Sequence, residues 1–377
     1  MNKDGDQLPL DEQMLLFAPF LSKQHNRVFD MYDALPRFVL SWKRDADKGP
    51  RLLTFPNVQI AGQKVTVKIT PAIIAATESE VDNAATGPQR IQGKIIFPGA
   101  REEIVEFTIR RLAARQIESM GYRVDDKREH VTVKFTLAQL RNELAEHGHH
   151  YKAAEIAEAL DVLAKSQIQL VGNVPENIAE GYKWKANQPY SMLGDFRAIE
   201  STAADNTGAG TTYIVSLHPM AAAALLQGNY FDHNHPRTMQ LHRPLARWLV
   251  KVMNLRFRQA ERGNFTNKKG YNISLTRILT ESGMLPHKRL RTSIERIREA
   301  VEELKDTGWL DRFKPFAEEV TYAAEAKRGQ KPIREIVWTL YPSNEFVSEI
   351  IEGNIRAQRH WKEGDRLPNP KGERAAH

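Results

Sequence analysis

The clearest pattern of apolar positions in this chain lies in its second half. Apolar residues recur there at spacings of 4, 3, 4 and 3, which places them on one narrow stripe of an α-helix. The stripe consists of Leu290, Ile294, Ile297, Val301 and Leu304. We predict this helix over residues 286–305, with Pro286 at its first position, where no backbone N–H is needed. The helix is therefore expected to pack one side against a core and to present a polar side outward.

Further helices and a hairpin are predicted around this segment. A helix is expected over residues 244–257, and Ser274 is the predicted N-cap of a short helix that ends at a turn around Gly283. Strand-like segments are predicted after the amphipathic helix, at residues 309–313 and 333–341, with a basic turn at 327–332 between them.

The first half of the chain has a similar order of predicted elements. Thr136 is placed to cap a helix that stops near Gly148, and a further helix begins near His150. The other predicted elements are a helix at 101–119, strands at 58–60, 64–69, 90–97, 131–135 and 167–171, and a long hairpin at 190–217 with a mobile tip at 202–210. Strand, helix, turn, helix, strand and hairpin is the order of a winged-helix domain.

We therefore predict an α+β fold made of two tandem winged-helix domains related by internal duplication. The length of 377 residues supports two domains, because one ordinary domain has roughly 100–200 residues. The predicted divisions are a flexible arm at 1–25, a first domain at 26–235, a second domain at 236–353 and a disordered tail at 354–377, with the domains joined near 228–236.

The composition excludes several classes of protein. Hydrophobic residues make up 41% of the chain and charged residues 27%, which is sufficient for packed cores. The absence of cysteine excludes disulfides, thiolate nucleophiles and cysteine-bound metal clusters. No apolar run reaches the about 18 residues of a membrane span, and the N-terminus lacks the pattern of a secretory leader. We expect a cytoplasmic protein with no membrane partner.

The net charge of +7 is concentrated in one region. Residues 241–300 contain fourteen Lys or Arg against four Glu, a surplus of ten, so the rest of the chain sums to −3. This concentration predicts a phosphate-binding surface in the second domain. Residues 136–172, in contrast, contain three basic and five acidic residues. We therefore assign the first domain mainly to self-association or partner binding, with some DNA contact.

The predicted helix at 286–305 carries the candidate DNA-binding residues. A recognition helix enters the major groove with its N-terminal end first, and Arg or Lys pairs there with guanine. Lys288, Thr292, Glu295, Arg296 and Glu299 project opposite the apolar stripe, with Arg289 and Arg291 on its flanks. The hairpin tip adds Lys327, Arg328 and Lys331, which we expect at phosphate or minor groove. The alternative is a solvated amphipathic helix without a ligand.

Enzymatic interpretations find little support in the sequence. The segment Thr207-Gly-Ala-Gly-Thr211 lacks the Lys of a nucleotide-binding loop. Asp232, His233 and His235 allow a metal-dependent nuclease as a third hypothesis, against a polar turn between domains. His147, His149 and His150 cluster without acidic or cysteine partners, which argues against a metal site. We predict no catalytic residue, no metal and no cofactor.

The N-terminal arm contains one short motif, Gln13-Met-Leu-Leu-Phe17. A Gln followed by apolar residues and an aromatic is typical of peptides that dock into a pocketed partner. The predicted docking residues are Gln13, Met14, Leu16 and Phe17. The alternative is an arm that folds onto its own domain.

The sequence resembles plasmid replication initiators of the TrfA and RepA kind. The resemblance runs from about Gln13 to Tyr341 and is strongest in Phe135-Thr-Leu-Ala-Gln-Leu140 and in Arg243-Pro-Leu-Ala-Arg-Trp248 through the amphipathic helix. TrfA carries a segment that engages the replicative sliding clamp, and the arm motif is similar to it. Met14 replaces the family's Leu and Leu15 replaces a small polar residue.

This resemblance implies a bacterial initiator that binds direct repeats in an origin, opens an adjacent A·T-rich element and loads the replicative helicase. It also implies passage between a dimer and a DNA-binding monomer, and contacts with the host sliding clamp, helicase and host initiator. The main alternative is a winged-helix transcriptional repressor or autoregulator, because the same module serves both functions.

Overall fold

A computed structural model describes residues 25–40, 51–60, 63–74, 94–119, 131–172, 187–200, 211–226, 230–256, 270–285, 289–324 and 331–364. Two hydrophobic cores divide these residues into two units. The first core includes residues from Tyr32 to Met239, and the second includes residues from Leu241 to Ile350. We call the two parts the first unit and the second unit.

The first unit contains strands and helices in alternation. Its strands are β1 (His25–Phe29), β2 (Leu53–Ile60), β3 (Gln63–Thr70), β4 (Ala72–Ile74), β5 (Lys94–Ile96), β6 (Thr132–Thr136), β7 (Gln167–Val171), β8 (Pro189–Ser191), β9 (Leu193–Glu200), β10 (Thr211–Leu217) and β11 (Tyr230–Asn234). Its helices are α1 (Asp30–Ala34), α2 (Ala100–Ser119), α3 (Leu137–Ala145), α4 (Ala153–Lys165), α5 (Pro219–Leu226) and α6 (His235–Met239).

The second unit has a simpler composition. Its helices are α7 (Pro244–Arg256), α8 (Leu275–Glu281), α9 (Leu290–Asp306) and α10 (Asn344–Gly364). Its strands are β12 (Tyr271–Ser274), β13 (Phe316–Tyr322) and β14 (Ile333–Leu340). None of the helices in the described ranges is long and apolar enough to cross a membrane.

The two units repeat one topology. In the first unit, the repeated elements occur along the chain in the order α2, β6, α3, α4, β9 and β10. Their strands form an antiparallel sheet in the order β6-β10-β9. In the second, α7, β12, α8, α9, β13 and β14 follow in order, with the sheet order β12-β14-β13. The recurrence agrees with the duplication that the sequence predicts.

The predicted helix caps are confirmed. The side-chain oxygen of Thr136 accepts a hydrogen bond from the Gln139 N–H at 3.1 Å, and that of Ser274 accepts one from the Arg277 N–H at 3.2 Å. Each cap satisfies a backbone donor that the first turn of a helix leaves without a partner. Both caps therefore start the first helix of a helix–turn–helix at the predicted residue.

Gly283 forms the turn between α8 and α9 and also touches the first unit. Its φ of +79° is a conformation that favours glycine, and a Cβ there would lie 2.1 Å from the Phe38 carbonyl oxygen. The Leu40 N–H donates to the Gly283 carbonyl at 3.1 Å. The turn is thus joined to the first unit by main-chain atoms.

Two predicted elements of the second unit need correction. The amphipathic helix begins at Leu290 instead of residue 286, with Arg289 as an N-cap that has no side-chain cap bond. Leu290 is 40% exposed and lies outside the core stripe. Residues 309–313 are not a strand: Leu310 forms a single isolated bridge with Pro342, and Asp311 Oδ1 then accepts the N–H of Phe313 to close a turn. The first hairpin strand is β13 instead.

Three predictions outside the helix–turn–helix segments also change. The winged-helix order predicts strand β7 in the sheet with β6, β9 and β10. The structure instead places it in a four-stranded sheet in the order β2-β3-β7-β8. The predicted joint at 228–236 contains β11, which pairs with β1, and the start of α6. The predicted disordered tail begins inside α10, which continues to Gly364 and places Phe346 in the second core. Residues 1–24 and 365–377 lie outside the described residues.

Candidate nucleic-acid interface

Helix α9 has one buried side and one polar side. Ile294, Ile297, Val301 and Leu304 are buried, as the stripe predicts, and Ser293 is buried beside them. Arg291 is 89% exposed in its side chain, and Arg289 and Glu295 are also exposed. The N-terminal half of α9 therefore presents polar and basic side chains to solvent. Thr292 is half-buried on the same side, and Lys288 lies outside the described residues.

Several cations around α9 form ion pairs with carboxylates. Arg291 Nε lies 3.0 Å from Glu295 Oε1, one helical turn away. Arg243 at the start of α7 contacts Glu299 at 3.3 Å. Exposed pairs of this kind contribute about 0–1 kcal/mol, so they exchange readily for another anion. A phosphate or base edge that binds Arg291 must compete with Glu295.

Arg296 takes a different place from the other candidate residues. It is half-buried and lines a cleft of about 590 Å³ between the two units, together with Arg101 and Tyr151 of the first unit. The sequence places Arg296 on the fully outward face, and the structure places it on the flank toward the first unit. A DNA contact by Arg296 would therefore lie at the edge of the interface.

Helix α9 is fixed against the hairpin by a carboxylate. Glu318 on β13 accepts hydrogen bonds from the Arg298 guanidinium of α9 and from Trp338 Nε1 of β14 at 3.0 Å. The hydrogen bond from Arg298 lowers the pKa of Glu318. On the other flank, Glu303 accepts the backbone N–H groups of His242 and Arg243 at 2.6 and 3.1 Å. These bonds set the orientation of α9 relative to the rest of the unit.

The hairpin after α9 supplies a second group of outward residues. Lys331 is exposed near its tip, as predicted, and Arg334 and Tyr322 are exposed on the adjoining strands. Arg334 and Tyr322 are not among the residues predicted from the sequence, although Arg334 is two residues before buried Ile336 in an alternating strand. Lys327 and Arg328 lie outside the described residues.

Two cations of the basic region are buried between the units. Arg247 Nη2 and Lys251 Nζ of α7 contact the Glu103 carboxylate of α2 at 2.9 and 2.8 Å. Burial alone would raise the pKa of Glu103, but Lys251 and Arg247 outweigh burial and lower that pKa to about 2. Both residues count toward the basic surplus of residues 241–300, but their burial leaves them out of any phosphate-binding surface.

The structure contradicts the nuclease hypothesis. Asp232 and His233 belong to β11, and His235 is completely buried at the start of α6. The His235 ring packs on Phe107 and on His147, with centroids 5.0 and 4.7 Å apart. A buried imidazole cannot reach a DNA strand, and residues 230–234 form a paired strand and not a turn. Within the described ranges, no group of three His, Asp or Glu side chains is placed to hold a metal ion.

The three histidines of the predicted cluster have separate surroundings. Arg111 Nη1 donates to His147 Nε2 at 2.6 Å, and the His149 ring lies 2.9 Å from the Met239 carbonyl oxygen. Burial, followed by the nearby Arg111, lowers the pKa of His147. His150 is exposed. These contacts fasten the bend between α3 and α4 to α6, which is a structural role.

The chain is similar to two solved structures at low sequence identity. No family model matches the chain, and no curated protein matches it. Among solved structures, the chain is similar to domains 2 and 3 of RctB, with 12% identity, a TM-score of 0.43, and coverage of 83% of this chain and 99% of that one. It is also similar to the Pi initiator protein in complex with iteron DNA, with 11% identity, a TM-score of 0.34, and coverage of 64% and 94%. At these values neither likeness carries an argument about function.

Proposed function

We propose that this protein binds specific sites in double-stranded DNA and initiates replication of a plasmid or secondary replicon. The observation that carries the proposal is the outward N-terminal half of α9, where Arg289, Arg291, Thr292 and Glu295 follow a capped helix and a tight turn. Arg, Thr and Glu side chains there have the donors and acceptors that distinguish base edges in the major groove. The assignment to replication, and not only to DNA binding, comes from the resemblance in the sequence.

In this proposal both units are winged-helix modules with different tasks. Helix α9 enters the major groove, and Lys288 and Arg296 contribute at its end and edge. The hairpin between β13 and β14 is the wing, and Lys327, Arg328 and Lys331 contact phosphate or the minor groove. The first unit serves mainly self-association, in a dimer that converts to a monomer on iterated sites. The protein then opens an A·T-rich element and recruits helicase and host initiator, without catalysis of its own, in the bacterial cytoplasm.

Two experiments test the central proposal. Footprinting across the DNA upstream of the gene is expected to give regularly spaced protections, because iterated sites each bind one copy. A replicon that carries only the candidate origin and this gene is expected to be maintained. Loss of maintenance while a reporter from the same promoter stays repressed would assign the protein to the repressor class instead.

The arm motif is proposed as a docking segment for the host sliding clamp. The change Gln13→Ala with Phe17→Ala is expected to abolish clamp binding, since loss of an aromatic anchor costs on the order of 2 kcal/mol or more. Folding and DNA binding are expected to stay unchanged. Binding of a synthetic peptide of residues 8–21 to purified clamp measures the contact directly. A fall of several degrees in melting temperature in the double variant, with a peptide that does not bind, would make Phe17 a core residue.

A further inference from the structure

The four-stranded sheet of the first unit has an outer face with an unusual composition. Residues 48–77, which contain β2 and β3, include four Lys or Arg and not one Asp or Glu, although the whole chain has 47 acidic residues. Strands β7 and β8 add no acidic residue. The sheet is therefore a basic region inside a unit whose helix pair is acidic.

Alternation along the strands places the basic residues together on the outside. Val65, Val67 and Ile69 of β3 are buried, so Lys64 and Lys68 project from the opposite face. Lys68 lies directly across from Thr54 on β2 and from Gln169 on β7, and Lys64 lies across from Gln59. The neighbours of both lysines on this face are Thr and Gln side chains, which donate hydrogen bonds and carry no charge.

The lysines of this face differ in their partners from Arg291 and Arg243 near α9. Neither Lys64 nor Lys68 forms an ion pair with any residue that the structure describes, and the same holds for Arg51 just before β2. Arg291, Arg243 and the buried cations of α7 are all paired with carboxylates. A cation without a carboxylate partner binds phosphate without first breaking an ion pair.

The edge strand β2 of this sheet lies against the helix–turn–helix of the second unit. Strand β2 packs against α8, the first helix of that motif. The main-chain contacts of Gly283 with Phe38 and Leu40 hold the turn against the same unit. In helix–turn–helix complexes the first helix crosses the DNA backbone, and α8, which would do so here, is the helix that packs against β2.

We propose that the outer face of the β2-β3-β7-β8 sheet is a second DNA contact surface, on which Lys64 and Lys68 bind backbone phosphates independently of sequence. The inference rests on the proposed function, because it places a second contact on the duplex that α9 reads. Phosphate contacts fix the register and position of a protein on DNA, whereas base contacts specify the sequence. The first unit would therefore extend the bound length of duplex without adding to the recognised sequence.

The test compares two double variants of the full-length protein with equal charge changes. Lys64→Gln with Lys68→Gln removes the proposed contacts. Lys94→Gln with Lys165→Gln removes two exposed lysines from other elements of the same unit. Binding to a duplex of random sequence and to the upstream DNA of the gene is measured over a range of salt concentrations.

The Lys64/Lys68 variant is expected to reduce the salt slope by roughly 0.9 for each lost contact, and affinity about tenfold at physiological salt, on both duplexes. The control variant is expected to change neither quantity. Equal slopes for the two variants and the unchanged protein would overturn the inference while leaving the proposed function intact. Altered self-association with unchanged DNA binding would identify the sheet as a protein interface and also overturn it. If the unchanged protein does not prefer its upstream DNA over the random duplex, the proposed function itself fails.

Discussion

Two cations near α9 and two on the β2-β3-β7-β8 sheet differ in whether a carboxylate holds them. Around α9, Arg291 and Arg243 are engaged with Glu295 and Glu299, whereas Lys64 and Lys68 on the β2-β3-β7-β8 sheet have no carboxylate partner among the described residues. An arginine that is already paired gains binding free energy from a new anion only where the contact with that anion has better geometry than the contact with its own carboxylate. Pairing therefore favours discrimination on α9, and its absence favours sequence-independent affinity on the sheet.

The largest expected effect concerns the buried ion pairs of Glu103 with Arg247 and Lys251, which connect the two units. Glu103→Ala leaves Arg247 and Lys251 buried without their carboxylate, and removal of one member of a buried ion pair destabilises by about 3–5 kcal/mol. Urea denaturation measures this loss. Glu299→Ala, which removes an exposed partner of Arg243, is the matched control and is expected to cost about 0–1 kcal/mol.

The same carboxylate predicts a dependence of stability on acid. The pKa of Glu103 is lowered from 4.5 to about 2 in the folded protein, so its contribution is complete above the unfolded pKa and disappears as the pH falls through the folded one. Stability is expected to decrease between about pH 4.5 and pH 2, and Glu103→Gln is expected to flatten this part of the profile. An unchanged profile in that variant would show that other groups control acid unfolding.

The next effect separates specific from general DNA contacts. Thr292→Ala and Arg296→Ala are expected to weaken binding at particular base pairs by about 1–3 kcal/mol each where the contact is bidentate. Because Arg296 lies at the cleft, its effect is expected at the edge of the site. Lys331→Ala is expected to lower affinity for all sequences and to reduce the salt slope by about one. Binding to a panel of single-base variants distinguishes the two patterns, and equal sequence-specific losses from both groups would contradict the division.

The smallest effect tests the comparison most directly. Glu295→Ala frees Arg291 from an exposed pair worth about 0.3–0.5 kcal/mol and also removes one of the side chains proposed to read bases. We expect tighter binding to random duplex and a lower ratio of specific to non-specific affinity. Glu302→Ala, which frees Lys305 near the C-terminal end of α9, is the control and is expected to leave that ratio unchanged. A ratio that rises in the Glu295 variant would mean that the pair does not contribute to discrimination.

The parts of the structure that the sequence predicts are those that local interactions determine. The caps at Thr136 and Ser274 depend on residues three positions away, and the α9 stripe depends on helical spacing alone. The burial of Arg247 and Lys251 depends on Glu103, which lies more than 140 residues earlier in the chain. A charge count along the sequence cannot separate such cations from exposed ones.

Other differences arise where tertiary packing overrides a local preference. The 309–313 segment has the apolar residues typical of a strand. In the structure, Trp309 and Leu310 pack in the second core, and the chain then turns at Asp311. Strand β7 has the predicted bounds, but its pairing with β3 is not specified by its own residues. The run at 48–77 is free of acidic residues in the sequence, but it contains only four Lys or Arg. A count of basic residues alone therefore does not single it out.

The contact of Gly283 with Phe38 and Leu40 constrains which of these residues can change during evolution. It joins the two units through main-chain atoms, and every residue except proline offers the same N–H and carbonyl groups. Phe38 and Leu40 can therefore be replaced over generations without loss of the hydrogen bond, whereas Gly283 cannot accept a side chain. Related chains are expected to keep this one glycine and the relative placement of their units long after most other positions have diverged.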